Sequence, residues 1–232
     1  MDGTKKARIG LSLSHMGFYV SDIARADDFY SRVLEFTVTD RGTMQTPHGE
    51  VRLVFLSRDP AVHHQIVLAS GRPEHLAFNP INQISLEADS LDTLRQFHAR
   101  FVSEGLEEIN PVTHGNSISI YARDPEGNRL ELFIDRPWYV DQPMRVPVDF
   151  DLPDAELMAP VERHASGLPG FRPRSDWQAE MAVRMGLAQS SCLLGWRSTG
   201  QAQIAGRERQ AVGRARAFAV SREARRESAR VA

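Results

Sequence analysis

The chain has very little cysteine and no long apolar run. Cys192 is the single cysteine among 232 residues, so no disulfide can form within the chain. A lone cysteine favours a reducing compartment, and we expect a cytoplasmic location. No apolar segment approaches the roughly 20 residues that span a bilayer, and the polar segment 1–8 lacks the apolar core of a secretory signal. The sequence therefore predicts no membrane association.

An excess of charge of one sign is also missing. The formal net charge is −2, from 28 Lys and Arg against 30 Asp and Glu. This balance argues against a nucleic-acid partner for the chain as a whole. Segment 188–232 differs, because it is rich in Arg and Ala and lacks a periodic apolar face. We expect a basic tail there, disordered or loosely helical, with an arm for a nucleic acid or an acidic partner as the alternative.

Two similar halves, residues about 12–70 and 80–135, make up the body of the chain. Each half opens with a strand-like stretch, continues into an amphipathic helix and ends in further β-like stretches. The spacing is constant, since His15 to Gln83 and Phe29 to Phe97 are both 68 residues. This pattern predicts an α+β fold in which two βαβββ modules, within a domain 1–135, form an open, curved mixed β-sheet cleft.

Four side chains at matching places in the two halves are possible metal donors. His15 and Gln83 lie on the opening strands, and His64 and Glu131 lie on the closing strands. If the halves pack about a pseudo-twofold axis, the four side chains converge in the cleft. Imidazole and carboxylate groups suit a divalent first-row metal with open positions. The plain alternative is that each is an ordinary hydrogen-bonded polar residue.

Segment 112–131 has the pattern of a β-hairpin. Two alternating stretches, 117–121 and 129–133, are joined by a turn in which Pro125 fixes φ and Gly127 permits a positive φ.

The second strand of this hairpin carries an acid among apolar residues. Alternation places Leu130 and Leu132 on one face and Glu131 on the other. An ionised acid is costly to bury unless it is paired or bound to a metal. His114 and Tyr121 lie in the same segment, and the three residues together indicate a functional site.

This segment resembles the signature of the vicinal oxygen chelate superfamily, and within it of the type I extradiol ring-cleaving dioxygenases. The resemblance covers residues 12–135, with weaker similarity towards Gly186. The residues that fill the family pattern are Val112, His114, Ile120, Tyr121, Asp124, Pro125, Gly127 and Glu131.

The resemblance implies a metal centre. His15 is similar to the first iron-ligand histidine of these dioxygenases, and Glu131 to their carboxylate ligand. Gln83 stands where they have a second ligand histidine, and glyoxalases of the same superfamily do use Gln as a ligand. The expected cofactor is a divalent metal, Fe(II) in the first place, with Mn, Zn or Ni as alternatives.

The resemblance also implies catalytic roles for three side chains. His64 is similar to the acid–base histidine of the dioxygenases, and His114 and Tyr121 to the pair that orients the substrate. The implied activity is ring cleavage of a catechol-like aromatic with O2. A glyoxalase-like lyase or isomerase is one alternative, and a non-catalytic binding protein of the antibiotic-resistance type is the other.

Two further expectations concern the assembly and the rest of the chain. Small members of the superfamily often complete or cover the cleft by dimerising, so we expect a homo-oligomer. Segment 136–187 is rich in Pro and predicts a wrapping extension with short helices near residues 153–165 and 176–185. It could cap the cleft or a neighbouring subunit, or it could simply decorate the surface.

Overall fold

The computed structural model describes residues 12–47, 49–75 and 81–187. These residues belong to two compact units. The larger unit, Ile9–Trp177, contains the β-sheets and all the candidate site residues, whereas the described part of the smaller unit is 178–187. The basic tail predicted for 188–232 lies outside the described residues.

The first module is a four-stranded sheet with one helix across it. Its strands lie in the order β1-β4-β3-β2, with β1 and β4 parallel and the remaining neighbours antiparallel. The elements are β1 (Met16–Val20), helix α1 (Ile23–Asp28) with a π-helical continuation (Phe29–Val33), β2 (Thr37–Thr46), β3 (Gly49–Ser57) and β4 (Ile66–Ser70).

The second module repeats this arrangement. Its strands lie in the order β6-β7-β8-β5, with β5 and β8 parallel and the other neighbours antiparallel. The elements are β5 (Ile84–Glu87), helix α2 (Leu91–Ser103), β6 (Asn110–Thr113), β7 (Ser117–Arg123) and β8 (Arg129–Asp135). The α+β fold with two βαβββ modules is therefore confirmed.

The extension after the second module joins its sheet. Strand β10 pairs antiparallel with β6 and becomes the fifth strand of that sheet, while β9 pairs with β11. The elements are β9 (Trp138–Tyr139), β10 (Val146–Pro147), α3 (Asp154–Ser166), β11 (Arg172–Pro173) and α4 (Arg174–Arg184). Both helices predicted for the extension are present. In the described part of the chain, no helix is long and apolar enough to cross a membrane.

Both module helices are capped at their N-terminus and pack an apolar face against the core. Asp22 caps α1 by accepting hydrogen bonds from two backbone N–H groups, and Ser90 caps α2 by accepting one from Thr93 N. Helix α1 and its continuation bury Ile23, Ala26, Phe29 and Val33, each at most 5% exposed. On α2, Leu94 and Phe101 are fully buried. The helices thus cover one face of each sheet and leave the other face for polar side chains.

The β7–β8 turn connects the second module to the first through Glu126. Its carboxylate accepts hydrogen bonds from Ser21 N (2.8 Å), Ser21 Oγ (2.9 Å) and Asp22 N (3.1 Å), just ahead of α1. Arg72 lies 3.1 Å away as an ion-pair partner. Because the side chain is only 2% exposed, this charge depends on those four donors for the solvation it has lost.

Asp124 makes a second connection between the modules from the same turn. One carboxylate oxygen accepts the backbone N–H groups of Glu126 and Asn128, and the other accepts the Asn128 amide and the Tyr30 hydroxyl at 3.0 Å. Burial raises the pKa of Asp124, and the hydrogen bonds from Asn128 and Tyr30 oppose that rise. The turn is therefore held in shape by its own aspartate and anchored to the first module by Tyr30.

The Glu126 contact is expected to contribute measurably to stability. The substitution Glu126→Gln keeps the shape but removes the charge and one acceptor, which leaves buried N–H groups without partners. We expect the free energy of unfolding to fall by about 2 kcal/mol, measured by chemical denaturation. The matched control Glu108→Gln removes an ion pair to Arg123 that is 61% exposed on the Glu side, and should cost less than about 0.5 kcal/mol. Equal losses in the two variants would contradict this role.

Candidate functional site

Glu131 lies on β8, an interior strand of the second sheet between β7 and β5. Register places it directly opposite Tyr121 on β7 and Ser85 on β5. Directly opposed residues point to the same face of a sheet, so these side chains meet on the face away from the helix. Glu131 is only 8% exposed.

Four side-chain donors surround the Glu131 carboxylate. Oε1 accepts hydrogen bonds from Ser119 Oγ and the Tyr121 hydroxyl, both at 2.9 Å. Oε2 accepts from Ser85 Oγ at 2.7 Å and from Gln83 Nε2 at 3.0 Å. A carboxylate has about four lone-pair directions, so the group is fully solvated by the protein. Gln83 and Glu131, two of the predicted metal ligands, are thus in direct contact.

His114 is held against Tyr121 by the extension. Its Nδ1 lies 2.7 Å from the Met144 carbonyl oxygen, and its Nε2 lies 2.9 Å from the Tyr121 hydroxyl. A carbonyl can only accept, so Nδ1 carries the proton and, in the neutral ring, Nε2 is an acceptor. The Tyr121 hydroxyl therefore has two acceptors at equal distance, His114 Nε2 and Glu131 Oε1, for its single proton.

The electrostatics around Tyr121 keep its phenol protonated. Burial, followed by the hydrogen bond to Glu131, raises the pKa of Tyr121 to about 12, with Arg145 and Arg129 acting in the opposite direction. The Arg145 guanidinium lies 5.0 Å from the centre of the Tyr121 ring and that of Arg129 lies 5.9 Å from it. The hydroxyl is thus a hydrogen-bond donor at neutral pH.

A second cluster forms in the first module from His15 and His64. The two imidazole rings are 4.2 Å apart between centroids. Burial, followed by the neighbouring charges of His15 and His63, lowers the pKa of His64. A neutral His64 can accept a proton, as the predicted acid–base role requires.

A cavity of about 920 Å³ is lined by residues of both modules. His15, Gln83 and Ser85 are among its lining residues, so the cavity reaches both clusters. Within residues 12–47, 49–75 and 81–187, no three His, Cys, Asp or Glu side chains are grouped closely enough to hold a metal ion. In the proposed site of His15, Gln83 and Glu131, only His15 and Glu131 belong to these four residue types. The third donor would be the side-chain amide of Gln83.

The chemistry of this donor set fits a divalent metal. It offers one imidazole nitrogen, one amide oxygen and one carboxylate, all of which are known donors for such ions. Gln83 now points its amide nitrogen at Glu131. Rotation of that amide by half a turn would present its oxygen and would free one lone pair of Glu131. We retain His15, Gln83 and Glu131 as the proposed ligands.

Strand register corrects one part of the predicted repeat. Glu131 is opposite Ser85, and the residue that corresponds to Ser85 in the first module, Gly17, is opposite Val67. The counterpart of Glu131 is therefore Val67, and His64 lies ahead of β4. The prediction that His64 and Glu131 occupy equivalent positions is wrong, because the connection before β4 is longer than the tight turn before β8.

Four residues of the site were not found from the sequence. Ser85 and Ser119 could have been, because alternation puts them on the same face as Gln83 and Tyr121 respectively. The Met144 carbonyl and Arg145 carry no such signal, since they reach the site only through the pairing of β10 with β6.

The phenol of Tyr121 provides a direct test of this geometry. Ultraviolet difference titration of the native protein against Tyr121→Phe should give no phenolate signal at pH 10 and a signal that develops towards pH 12. Because the folded-state pKa is raised, this group contributes stability that is complete below the ordinary pKa of 10 and is lost as the pH rises through about 12. Ionisation at the ordinary pKa would mean that the hydroxyl is not buried against Glu131.

The sequence matches the profile of one protein superfamily and is similar to two known dioxygenases. The profile of the Glyoxalase/Bleomycin resistance protein/Dioxygenase superfamily matches residues 12–132. The chain is 29% identical over 126 residues to biphenyl-2,3-diol 1,2-dioxygenase 2 of Rhodococcus globerulus, which covers 53% of this chain and 62% of that protein. It is 33% identical over 88 residues to biphenyl-2,3-diol 1,2-dioxygenase 3 of the same organism, which covers 36% of this chain and 46% of that protein. The chain thus spans less than two thirds of either relative.

A solved structure with a similar fold is the glyoxylase/bleomycin resistance protein/dioxygenase domain from Frankia sp. EAN1pec. It is 19% identical and covers 56% of this chain and 100% of that domain, with a TM-score of 0.44. The profile match extends over more than half of the 232 residues. The chain therefore belongs to the Glyoxalase/Bleomycin resistance protein/Dioxygenase superfamily and has the vicinal oxygen chelate fold.

Proposed function

We propose that this protein is a metal-dependent extradiol-type dioxygenase that cleaves the ring of a catechol-like aromatic with O2. The observation that carries the proposal is the Tyr121 hydroxyl, which lies 2.9 Å from both His114 Nε2 and Glu131 Oε1. The Tyr121 hydroxyl, a hydrogen-bond donor, is thus linked directly to Glu131, a proposed metal ligand. The weak similarity to two biphenyl-2,3-diol dioxygenases supports the same substrate class.

The proposed metal would be held by His15, Gln83 and Glu131. When bound, it would acidify a catechol hydroxyl and bring the aromatic ring and O2 together. In the overall reaction both atoms of O2 enter the product as a carbon–carbon bond of the ring breaks, so no further reductant is consumed.

The remaining steps fall to side chains of the chain itself. Tyr121 stays protonated at neutral pH and can donate a hydrogen bond to oxyanion charge that develops on the substrate. His114, held by the Met144 carbonyl, keeps that hydroxyl in place. His64 is neutral and can take the proton of the second substrate hydroxyl and later return it.

Gln83 is the specific observation that favours a second candidate, a glyoxalase-like lyase or isomerase. An amide oxygen is a weaker donor to iron than an imidazole. A non-catalytic binding protein of the antibiotic-resistance type is less well supported, because binding alone does not need the His114–Tyr121 pair.

The homo-oligomeric state and the cytoplasmic location stay predictions.

The test of the dioxygenase proposal is ring cleavage by anaerobically purified, Fe(II)-loaded protein. Oxygen uptake and the yellow ring-fission product should appear with 2,3-dihydroxybiphenyl or a simpler catechol. We expect His64→Ala and Tyr121→Phe to lower turnover by roughly 10²-fold with unchanged iron content. Loss of iron in His64→Ala would instead make His64 a ligand.

Two variants serve as matched controls for these substitutions. Tyr139→Phe retains the ring that stacks on Trp177, and His164→Ala removes an exposed imidazole of helix α3. Neither should change turnover. Absence of cleavage in the iron-loaded native protein, together with metal-dependent isomerisation of a thiohemiacetal, would establish the glyoxalase-like candidate.

Gln83→His tests the unusual ligand separately. If the dioxygenase proposal holds, imidazole at this position should raise Fe(II) affinity by about 10-fold or more and increase ring cleavage. Ser85→Ala is the control, because it removes another donor to the same Glu131 oxygen without adding a ligand. Iron per chain and product yield are the measurements. If Gln83→His abolishes an activity that the native protein has, Gln83 belongs to a different chemistry.

A further inference from the structure

His64 is hydrogen-bonded to His63, which is in turn hydrogen-bonded to Asp40. His63 Nδ1 lies 2.8 Å from His64 Nδ1, and His63 Nε2 lies 3.2 Å from Asp40 Oδ2. The rings of His63 and His64 are nearly perpendicular, at 88°, with centroids 5.1 Å apart. The three groups therefore form a continuous series of hydrogen bonds that ends on a carboxylate.

A β-bulge places Asp40 on the correct side of the sheet. The pairing of β2 with β3 shifts by one residue between Val38 and Asp40, so Thr39 is the extra residue. As a result Asp40 lies opposite Phe55. The unshifted register would put Asp40 opposite Val54, whose side chain is buried in the core. Opposed residues share a face, so the bulge turns the carboxylate away from the core and towards His63.

Phe55 holds both imidazoles on that face. Its ring centroid is 5.9 Å from that of His63 and 5.2 Å from that of His64, the latter with an edge-on contact at 69°. The packing fixes the ring planes, while Asp40 and His63 remain 67% and 58% exposed. At this exposure the contact between His63 and Asp40 contributes little stability, and what it determines is which nitrogen of each imidazole carries the proton.

The donor and acceptor in each of these hydrogen bonds follow from the protonation of the atoms involved. An ionised carboxylate only accepts, so His63 Nε2 carries the proton of the bond to Asp40. A neutral His63 then has a lone pair at Nδ1 and must accept from its neighbour. His64 therefore carries its proton at Nδ1, which leaves Nε2 unprotonated.

We propose that Asp40 and His63 are positioning residues that hold His64 in the Nδ1-protonated tautomer, with Nε2 free to act as the base. The use of that base in catalysis rests on the proposed function, whereas the tautomer itself does not. When Nε2 takes the proton of a substrate hydroxyl, the charged His64 ring still donates from Nδ1 to His63. The Asp40 carboxylate, at the far end, stabilises the positive charge until Nε2 returns the proton.

Nitrogen NMR of the full-length protein measures the tautomer without any activity. In long-range ¹H–¹⁵N correlation spectra of the ¹⁵N-labelled protein at mildly alkaline pH, His64 should show a protonated Nδ1 and an unprotonated Nε2. His63→Phe keeps a ring against Phe55 but removes the acceptor, and should move the proton of His64 largely to Nε2. Asp40→Ala should give a mixture, because His63 can then adopt either tautomer.

Two controls separate this effect from a general disturbance. Glu50→Gln removes one negative charge from the same β2–β3 hairpin, where Glu50 contacts only Gln45 by hydrogen bond among the described side chains, and should leave His64 unchanged. His114, whose Nδ1 donates to the Met144 carbonyl, should keep its own tautomer in every variant. A native His64 protonated at Nε2, or a His64 unaffected by both His63→Phe and Asp40→Ala, would overturn the proposal.

The kinetic measurement links the tautomer to the proposed function. In the Fe(II)-loaded protein, Asp40→Ala and His63→Phe should lower kcat by about 10-fold with KM unchanged, since the substrate contacts remain. Unchanged kcat despite an altered tautomer would mean that His64 is not the base. If the native protein cleaves no catechol, the proposed function fails while the NMR result still decides the tautomer.

Discussion

The burial of three carboxylates on one hairpin is the constraint on which the rest of this structure depends. Asp124, Glu126 and Glu131 are between 4% and 8% exposed and lie within eight consecutive residues of the β7–β8 hairpin. Ionised groups removed from water need donors in the protein, and each of the three recruits a different part of the chain. Asp124 takes the Tyr30 hydroxyl and Glu126 takes the segment ahead of α1, so both tie the modules together.

Glu131 recruits donors for a different purpose. Its partners lie on the two strands that flank β8, with Gln83 just ahead of β5, and one of them, Tyr121, extends the network to His114 and from there to the extension. The two carboxylates of the turn are fixed by contacts that have no substrate role. Glu131 instead contacts Gln83, a side chain that also lines the cavity. The need of buried carboxylates for hydrogen-bond donors thus links the two modules at the turn of the hairpin and forms the candidate site on strand β8.

The two modules contribute unequal chemistry to that site. The second supplies an acceptor surrounded by hydroxyl and amide donors, whereas the first supplies imidazoles, with His15 against His64 and His64 against His63. The asymmetry arises from local backbone features. A longer connection puts His64 ahead of β4, and a bulge at Thr39 brings Asp40 to the imidazole face. Duplicated modules can therefore present an acid on one side and a base on the other.

The sequence by itself determined the repeat, the amphipathic helix of each half and the hairpin that carries Glu131. These are local features, because periodicity and turn chemistry act over a few residues. It also singled out His114 and Tyr121, which the structure places in contact. Only the tertiary structure decided that Glu131 has four donors, that the Met144 carbonyl reaches His114 and Arg145 reaches Tyr121, and that Val67 rather than His64 matches Glu131. Those outcomes depend on strand register and on pairing between distant segments, where a shift of one residue moves a side chain to the opposite face.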